Sequence, residues 1–408
     1  MKIQFLPTTR KEMTALGWQQ ADIVLVTADA YVDHPSFGAA LIGRWLAHHG
    51  FKVAILAQPD WHSADDFRAI GPPRLFWAVT SGCIDSRLNM YASMGSKRRE
   101  DAYSPGGKLG LRPDRPLVVY AERCRQACKG VPIILGGLEA SLRRLVHYDY
   151  ITDNLQRSVL ADAKADLLIH GMAETAILEI ARRLDSGAEL NDLHDIGGTA
   201  YRVIKGATVP DDAVELPSRE ELEADNTKFM DFQLAYQDQS NPSGRAVVQD
   251  QGPGQIVVNP PAAPLGEQEL DTLYALPFTR MWHPKYDKQG GVPALKPVQF
   301  SITTHRGCFG GCSFCAIYFH QGKQISSRSP ESIISELDRI AAHPQFHGTV
   351  EDIGGPTANM YGMTCASAAT CKRMSCLYPS PCAKLPSHDA VIKMLNRVLQ
   401  WRNAHKKK

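Results

Sequence analysis

Cys308, Cys312 and Cys315 lie in one short stretch, "THRGCFGGCSFCAIYFHQGK" (Thr304–Lys323), with the spacing C-x3-C-x2-C. Thiolates are soft ligands that favour zinc, copper(I) and iron–sulfur clusters. Structural zinc prefers four protein ligands, often as two separated pairs, so zinc here would need His305 or His320 as a fourth. An iron–sulfur cubane is larger, and one sharply bent loop can offer a sulfur to three of its corners. Gly307, Gly310 and Gly311 give the backbone that freedom beside the first two thiols. The fourth iron would then lack a cysteine, and an open metal position can take up a chelating cofactor.

The chain carries ten cysteines, seven of them between Cys308 and Cys382. Its opening, Met1 to Pro7 followed by Thr8, Thr9, Arg10, Lys11 and Glu12, forms no signal-peptide apolar region. No apolar run approaches the ~18–20 residues of a membrane helix. The chain therefore reads as cytosolic, where clustered cysteines are metal ligands more often than disulfides. Cys365, Cys371, Cys376 and Cys382 are spaced C-x5-C-x4-C-x5-C, which fits no zinc template. A stapled loop, an auxiliary metal site and packed thiols are all open readings of these four. Cys124 and Cys128, one helical turn apart, read as buried or half-buried thiols. A net charge of +2 gives no electrostatic case for nucleic acid or anionic membrane as partner.

With 408 residues, roughly two or three domains are expected. Over residues 1–185 short apolar runs alternate with helical patterns. "DIVLVT", "KVAIL", "RLFWAVT", "PLVVYA" (Pro116–Ala121), "VPIILGG" and "ADLLIHG" read as strands, and "SFGAALIGRWLAHHG" as a helix capped by Ser36. That pattern predicts an α/β fold with a doubly wound parallel sheet, whose ligands sit at the carboxyl ends of strands. Those ends carry Asp29, Cys83, Gly136-Gly137 and Gly171. Behind Gly137, the cluster Arg143, Arg144, His147, Tyr148 and Asp149 reads as a helix end with capping charges, or else as a substrate or phosphate clamp. Residues 186–297 form a connecting subdomain and linker, including a hairpin turned by Gly252-Pro253-Gly254. From residue 298 the order is strand "VQFSITT", cysteine loop, helix "SPESIISELDRIAAH" capped by Ser329, then a strand in "GTVEDIGGP". Strand, loop, helix, strand is how a βα barrel opens, and such barrels keep their chemistry at strand carboxyl ends.

C-x3-C-x2-C with Phe314 just before the last cysteine resembles the signature of the radical S-adenosylmethionine (SAM) superfamily. The blocks "ADIVLVTADAYVDHPSFGAALIGRWL", "GGLEASLRRLVHYDY", "HGMAE", "YALPFTRMWHP" and "DIGGPTANMYG" together resemble the YgiQ family within it. The likeness runs from near Met1 to about Cys382 and is specific, since several long blocks agree in order. It implies that Cys308, Cys312 and Cys315 bind a [4Fe-4S] cluster whose open iron chelates SAM. Reductive cleavage to a 5′-deoxyadenosyl radical would follow, fed by a reductant protein such as flavodoxin or ferredoxin. The resemblance places Phe314 near the adenine. It places Gly354, Gly355 and Pro356 at the cofactor's amino group, although the family often has an acidic residue where this chain has Pro356. The amino-terminal region resembles a cobalamin-binding-type domain, but Asp33-His34 stand in D-H-x-x-x-G, which is not the cobalamin pattern D-x-H-x-x-G.

Residues 298–408 then read as the first part of a radical SAM barrel. They number fewer than half of the ~250 residues of a full (β/α)8 barrel. The last helix, capped by Ser387, presents Val391, Ile392, Leu395, Val398 and Leu399 on one apolar face. Three readings follow: a truncated radical SAM enzyme, an inactive iron–sulfur-binding scaffold, and a chain whose barrel is completed by a separate polypeptide.

Overall fold

The structure is a computed structural model that describes residues 4–405 apart from 358, 369, 370 and 372. Five apolar runs form strands: β1 (Ile23–Thr27), β2 (Val53–Ala57), β3 (Phe76–Thr80), β4 (Ile133–Gly136) and β5 (Leu167–Ile169). They stand in the order β2-β1-β3-β4-β5 and are all parallel. Successive residues face opposite sides: Ile23 and Leu25 enter one core, Val24 and Val26 the other. Helix α1 (Gly38–His48) covers the first face with Ala40, Leu41, Trp45 and Leu46. Helix α2 (Pro116–Ala127) covers the second with Leu117, Tyr120, Ala121 and Cys124. Both faces are thus buried, as a parallel sheet requires. The amino-terminal region is a doubly wound α/β sheet.

Two local expectations are corrected. Pro116–Ala121, expected as a strand, is the first half of α2. Proline suits a helix's first turn, and buried residues at 117, 120, 121 and 124 repeat at helical spacing. Ser36 does not cap α1. Phe37 holds that position without a side-chain bond, and the Ser36 N–H instead donates to His34 Nδ1 at 3.0 Å.

The sheet continues through β6 (Thr199–Ile204), β7 (Val214–Leu216), β8 (Val247–Asp250) and β9 (Gly254–Val258), in the order β5-β6-β9-β8-β7. Segment 186–297 thereby adds four strands to the same sheet. β6 runs antiparallel to β5, and β8 and β9 form the expected hairpin, closed by Gln251 N–H to Gly254 O at 3.0 Å.

Helix α3 (Glu174–Asp185) packs Ala176, Ile177 and Ile180 into the first core; beyond the sheet, β10 (Ile302–Thr303) pairs in parallel with β11 (Ile353–Gly354) across helix α4 (Pro330–Ala341). Ser329 caps α4 by accepting from the Ser332 N–H. Ile333, Leu337 and Ile340 pack on Phe300 and Ile302. These are the opening βα units of a TIM-type barrel. The final helix α5 (Asp389–Ala404) departs from the expected face. It buries Val391 and Met394, while Ile392 (52 %), Leu395 (40 %) and Leu399 (44 %) stay exposed. α4 covers only one side of it, so an apolar stripe wider than its partner remains in water.

Candidate functional site: a thiol loop at a strand end

The cysteine loop leaves β10 through His305–Arg306, which pair antiparallel with Ser326–Ser327. Gly307 (φ +86°) and Gly311 (φ +65°) turn it. A Cβ on Gly307 would collide with Gln324 O, and one on Gly311 with Met374 O. Gly310 has a different task. The Cys308 and Cys312 sulfurs lie 3.3 and 3.8 Å from where its Cβ would stand, so the missing side chain keeps the space between them open. The Gly310 N–H donates to Cys308 Sγ at 3.3 Å, and Thr357 Oγ1 lies 3.6 Å from the same sulfur. Cys315 closes the loop with its N–H on Cys312 O at 3.0 Å, directly before the helix Ala316–Gln321. Cys308 is buried, Cys315 half-buried and Cys312 exposed. The Cys308 and Cys312 sulfurs thus flank the gap beside Gly310, and Cys315 follows on the same loop.

Among the described residues no three His, Cys, Asp or Glu side chains converge closely enough to hold a single metal ion. Of His305 and His320, the candidate fourth ligands for zinc, His305 has Nδ1 3.0 Å from Thr304 Oγ1 and Nε2 buried without a partner. His305 packs against Gly355, where a Cβ would strike its ring, and burial lowers its pKa to about 4. His320 Nδ1 lies 2.9 Å from Ser141 Oγ, and burial likewise lowers its pKa to about 4.

Gly354, Gly355 and Pro356 line a cavity of about 560 Å³, whereas Phe314 is 90 % exposed and stands outside its lining. Opposite those glycines lie the carboxyl ends of the large sheet, where Thr27, Thr80 and Gly136 stand side by side in register. The cavity therefore spans the gap between the sheet and the barrel opening. Asp352 also lines it, its carboxylate oxygens 3.3 and 3.4 Å from the Cβ position of Gly354.

Buried charges fix this juxtaposition. Arg306 donates to Glu174 Oε1 at 2.6 Å and to the Tyr274 hydroxyl at 3.1 Å. Arg280 and Arg328 share the Glu336 carboxylate. Asp33 takes both arms of Arg44, at 2.7 and 2.5 Å. His34 Nδ1 accepts from the Ser36 N–H, and its Nε2 lies 3.2 Å from Gln299 O and 3.0 Å from Arg280 Nη1; burial and Arg280 hold its pKa well below the usual value. Asp33 and His34 thus act as a joint between the two units. Asp29 accepts from Arg112 at 2.9 Å and from the Cys83 N–H at 2.6 Å, with burial pushing its pKa up against the pull of Arg112. In the Arg143–Asp149 cluster, Arg143 pairs with Asp85 and Arg87 with Asp149, while Arg144 lies over the Tyr236 ring. Burial lowers the Arg144 pKa to about 9.

The second cysteine set packs on the thiol loop. Cys376 N–H donates to Phe309 O at 3.0 Å, Cys382 N–H to Cys376 O at 2.8 Å, and Lys323 Nζ lies 3.6 Å from Cys371 Sγ. The Arg373 backbone N–H, and then Lys323, lower the Cys371 pKa. All ten thiols are free, with Cys124 buried and Cys128 half-buried. The sequence singled out the cysteines and glycines but gave no role to Glu174, Arg306 or the Ser141–His320 contact. Glu174 stands in the block "HGMAE", Ser141 in "GGLEASLRRLVHYDY", and Arg306 and His320 in the cysteine stretch.

An α/β sheet faces a thiol loop that follows the strand Ile302–Thr303, an arrangement of the radical SAM kind. The family described as Radical SAM N-terminal matches residues 5–301, and the chain belongs to it. A UPF0313 protein of Geobacter sulfurreducens is 51 % identical over 387 residues, covering 94 % of this chain and 64 % of the relative. A UPF0313 protein of Bradyrhizobium diazoefficiens is 46 % identical over 431 residues, covering 98 % and 63 %. The chain thus spans just under two thirds of the length of these curated relatives. Among solved structures, the radical SAM methyltransferase TsrM of Kitasatospora setae, with tryptophan and a SAM analogue bound, is similar at 15 % identity and a TM-score of 0.49. That match covers 95 % of this chain and 52 % of the other. Likeness at that score transfers no residue's role. Among the described residues no helix is long and apolar enough to cross a membrane.

Proposed function

We propose that Cys308, Cys312 and Cys315 hold a [4Fe-4S] cluster and that the chain binds SAM at the glycine edge of β11. The observation that carries this reading is the contact between the two halves of the site: Thr357, next after Gly354-Gly355-Pro356, reaches the Cys308 sulfur. When bound, the cluster would supply the electron that cleaves SAM to a 5′-deoxyadenosyl radical. The chain's own residues do the positioning. Gly310 keeps two sulfurs apart, and Thr357 and the Gly310 N–H supply hydrogen bonds of the kind that tune a cluster's potential. Gly354 and Gly355 line the cavity, and the missing side chain of Gly355 makes room for the His305 ring. Asp352 is the nearest carboxylate for an ammonium group, in a place where Pro356 offers none. The bound SAM would lie in the cavity against the sheet. A reductant protein such as flavodoxin or ferredoxin, and completion of the barrel by a further polypeptide, belong to the same reading.

A second reading, an iron–sulfur protein without turnover, is favoured by the 90 % exposure of Phe314, the side chain expected beside the adenine. The two separate in one experiment. Cluster-loaded protein is incubated with SAM and a strong reductant, and 5′-deoxyadenosine is quantified. Formation of this product that is lost in Cys312→Ala supports the enzyme. An intact cluster with no product supports the second reading.

A further inference from the structure

In an open α/β sheet, ligands bind outside the carboxyl ends of the strands where the strand order reverses. Here β1 lies between β2 and β3, so the reversal falls between β1 and β3. Thr27 and Thr80, the last residues of those strands, line the cavity. Leu25, Ala78, Ile134 and Ile177 make the sheet side of the cavity largely apolar. Besides the Thr27 and Thr80 hydroxyls and the Asp29 carboxylate, which already accepts from Arg112 and the Cys83 N–H, two further polar groups line this side as acceptors.

The first is Glu174. Its Oε1 is taken by Arg306, but its Oε2 is buried without a partner, on a residue only 1 % exposed that lines the cavity. Leaving such an oxygen unpaired costs about 1–3 kcal/mol, more when it is charged. The second is His320. The Ser141 hydroxyl donates to Gly137 O at 3.0 Å and accepts from the Gly171 N–H at 2.9 Å. With the hydroxyl proton so used, His320 Nδ1–H donates to Ser141 Oγ and Nε2 is left as an acceptor. Arg306 already neutralises Glu174, so this side of the cavity asks for hydrogen-bond donors and has no need of a cation.

We infer that the sheet side of this cavity is the substrate site, and that it takes a neutral, largely apolar small molecule presenting an N–H or O–H to Glu174 and His320. This rests on the proposed function only in placing SAM at the opposite wall.

The test uses the full chain loaded with cluster, and phenol and toluene as probes, which match in size and differ in the donor. Saturation-transfer NMR is expected to detect phenol at least fivefold more strongly than toluene. Ile177→Trp, which fills the cavity from α3, is expected to abolish both signals. Glu174→Met is expected to erase the preference while toluene still binds. Should that variant lose its fold, Glu174→Met combined with Arg306→Met, which leaves no orphan charge, reads the same preference. Equal signals from the two probes, or a preference that survives both Glu174 variants, overturn the inference. SAM binding is measured separately by equilibrium dialysis. Protein that binds SAM without a phenol preference sinks this inference alone. Protein that keeps the preference but binds no SAM supports it and counts against the SAM reading.

Discussion

Arg306, two residues before the first cysteine of the thiol loop, donates a 2.6 Å hydrogen bond to Glu174 at the start of α3, and both side chains are buried. The pair ties the strand that launches the thiol loop to the carboxyl edge of the large sheet. Removing one partner of a buried ion pair typically costs 3–5 kcal/mol, because it strands the other charge. Arg306→Met is therefore expected to lose about 3–5 kcal/mol in urea unfolding. Glu174→Leu combined with Arg306→Met should lose clearly less. Equal losses in the two variants would mean that the pair is not the joint.

Gly311 and Gly310 should respond differently to alanine. At Gly311 a Cβ meets Met374 O and the φ of +65° is strained for alanine, so Gly311→Ala should displace the loop and lose most of the bound iron. At Gly310 a Cβ meets two sulfurs at 3.3 and 3.8 Å, with no strained φ, and the loss should be partial. Iron per chain, measured beside the urea midpoint, separates a loop effect from unfolding. The reverse ranking would contradict the geometry.

The sheet was legible because a strand buried on both faces reads as an uninterrupted apolar run, and β1 to β5 are such runs. Pro116–Ala121 misled for the same reason, since a buried helical turn is also apolar; its period emerges only when the run is followed to Ala127. The thiol loop could be located because its three cysteines are adjacent in sequence. Glu174–Arg306 and Ser141–His320 were not, being 132 and 179 residues apart. No local period links such residues; only the folded crevice does. The exposure of Phe314 was equally hidden, because spacing fixes a residue's place on a loop and leaves open which way its side chain turns.

Burial, with Arg143 nearby, lowers the His147 pKa to about 4. Unfolded, this imidazole titrates near ~6.5. Between those values the unfolded chain binds the extra proton, so stability is full above pH ~6.5 and falls as pH drops toward 4. At about 1.4 kcal/mol per pH unit, the total is on the order of 3 kcal/mol. His147→Gln should flatten the slope of unfolding free energy against pH in that window. An unchanged slope would assign the acid sensitivity to other groups.

On α5, Met394 is buried and Leu395 is 40 % exposed. Met394→Ala should cost about 2–5 kcal/mol, as for other core truncations. Leu395→Glu should cost no more than ~0.5 kcal/mol and should reduce self-association by placing charge on the bare stripe. Urea unfolding and light scattering check the two effects. A large stability loss in Leu395→Glu would mean that this face is covered.

The most direct measurement is anaerobic reconstitution with iron and sulfide, followed by iron, sulfide and zinc analysis of the purified chain. The account expects iron and sulfide in equal amounts at the level of one cubane per chain, lost in Cys308→Ala and kept in Cys371→Ala. Protein that takes up a single zinc ion and assembles no iron with sulfide would contradict it.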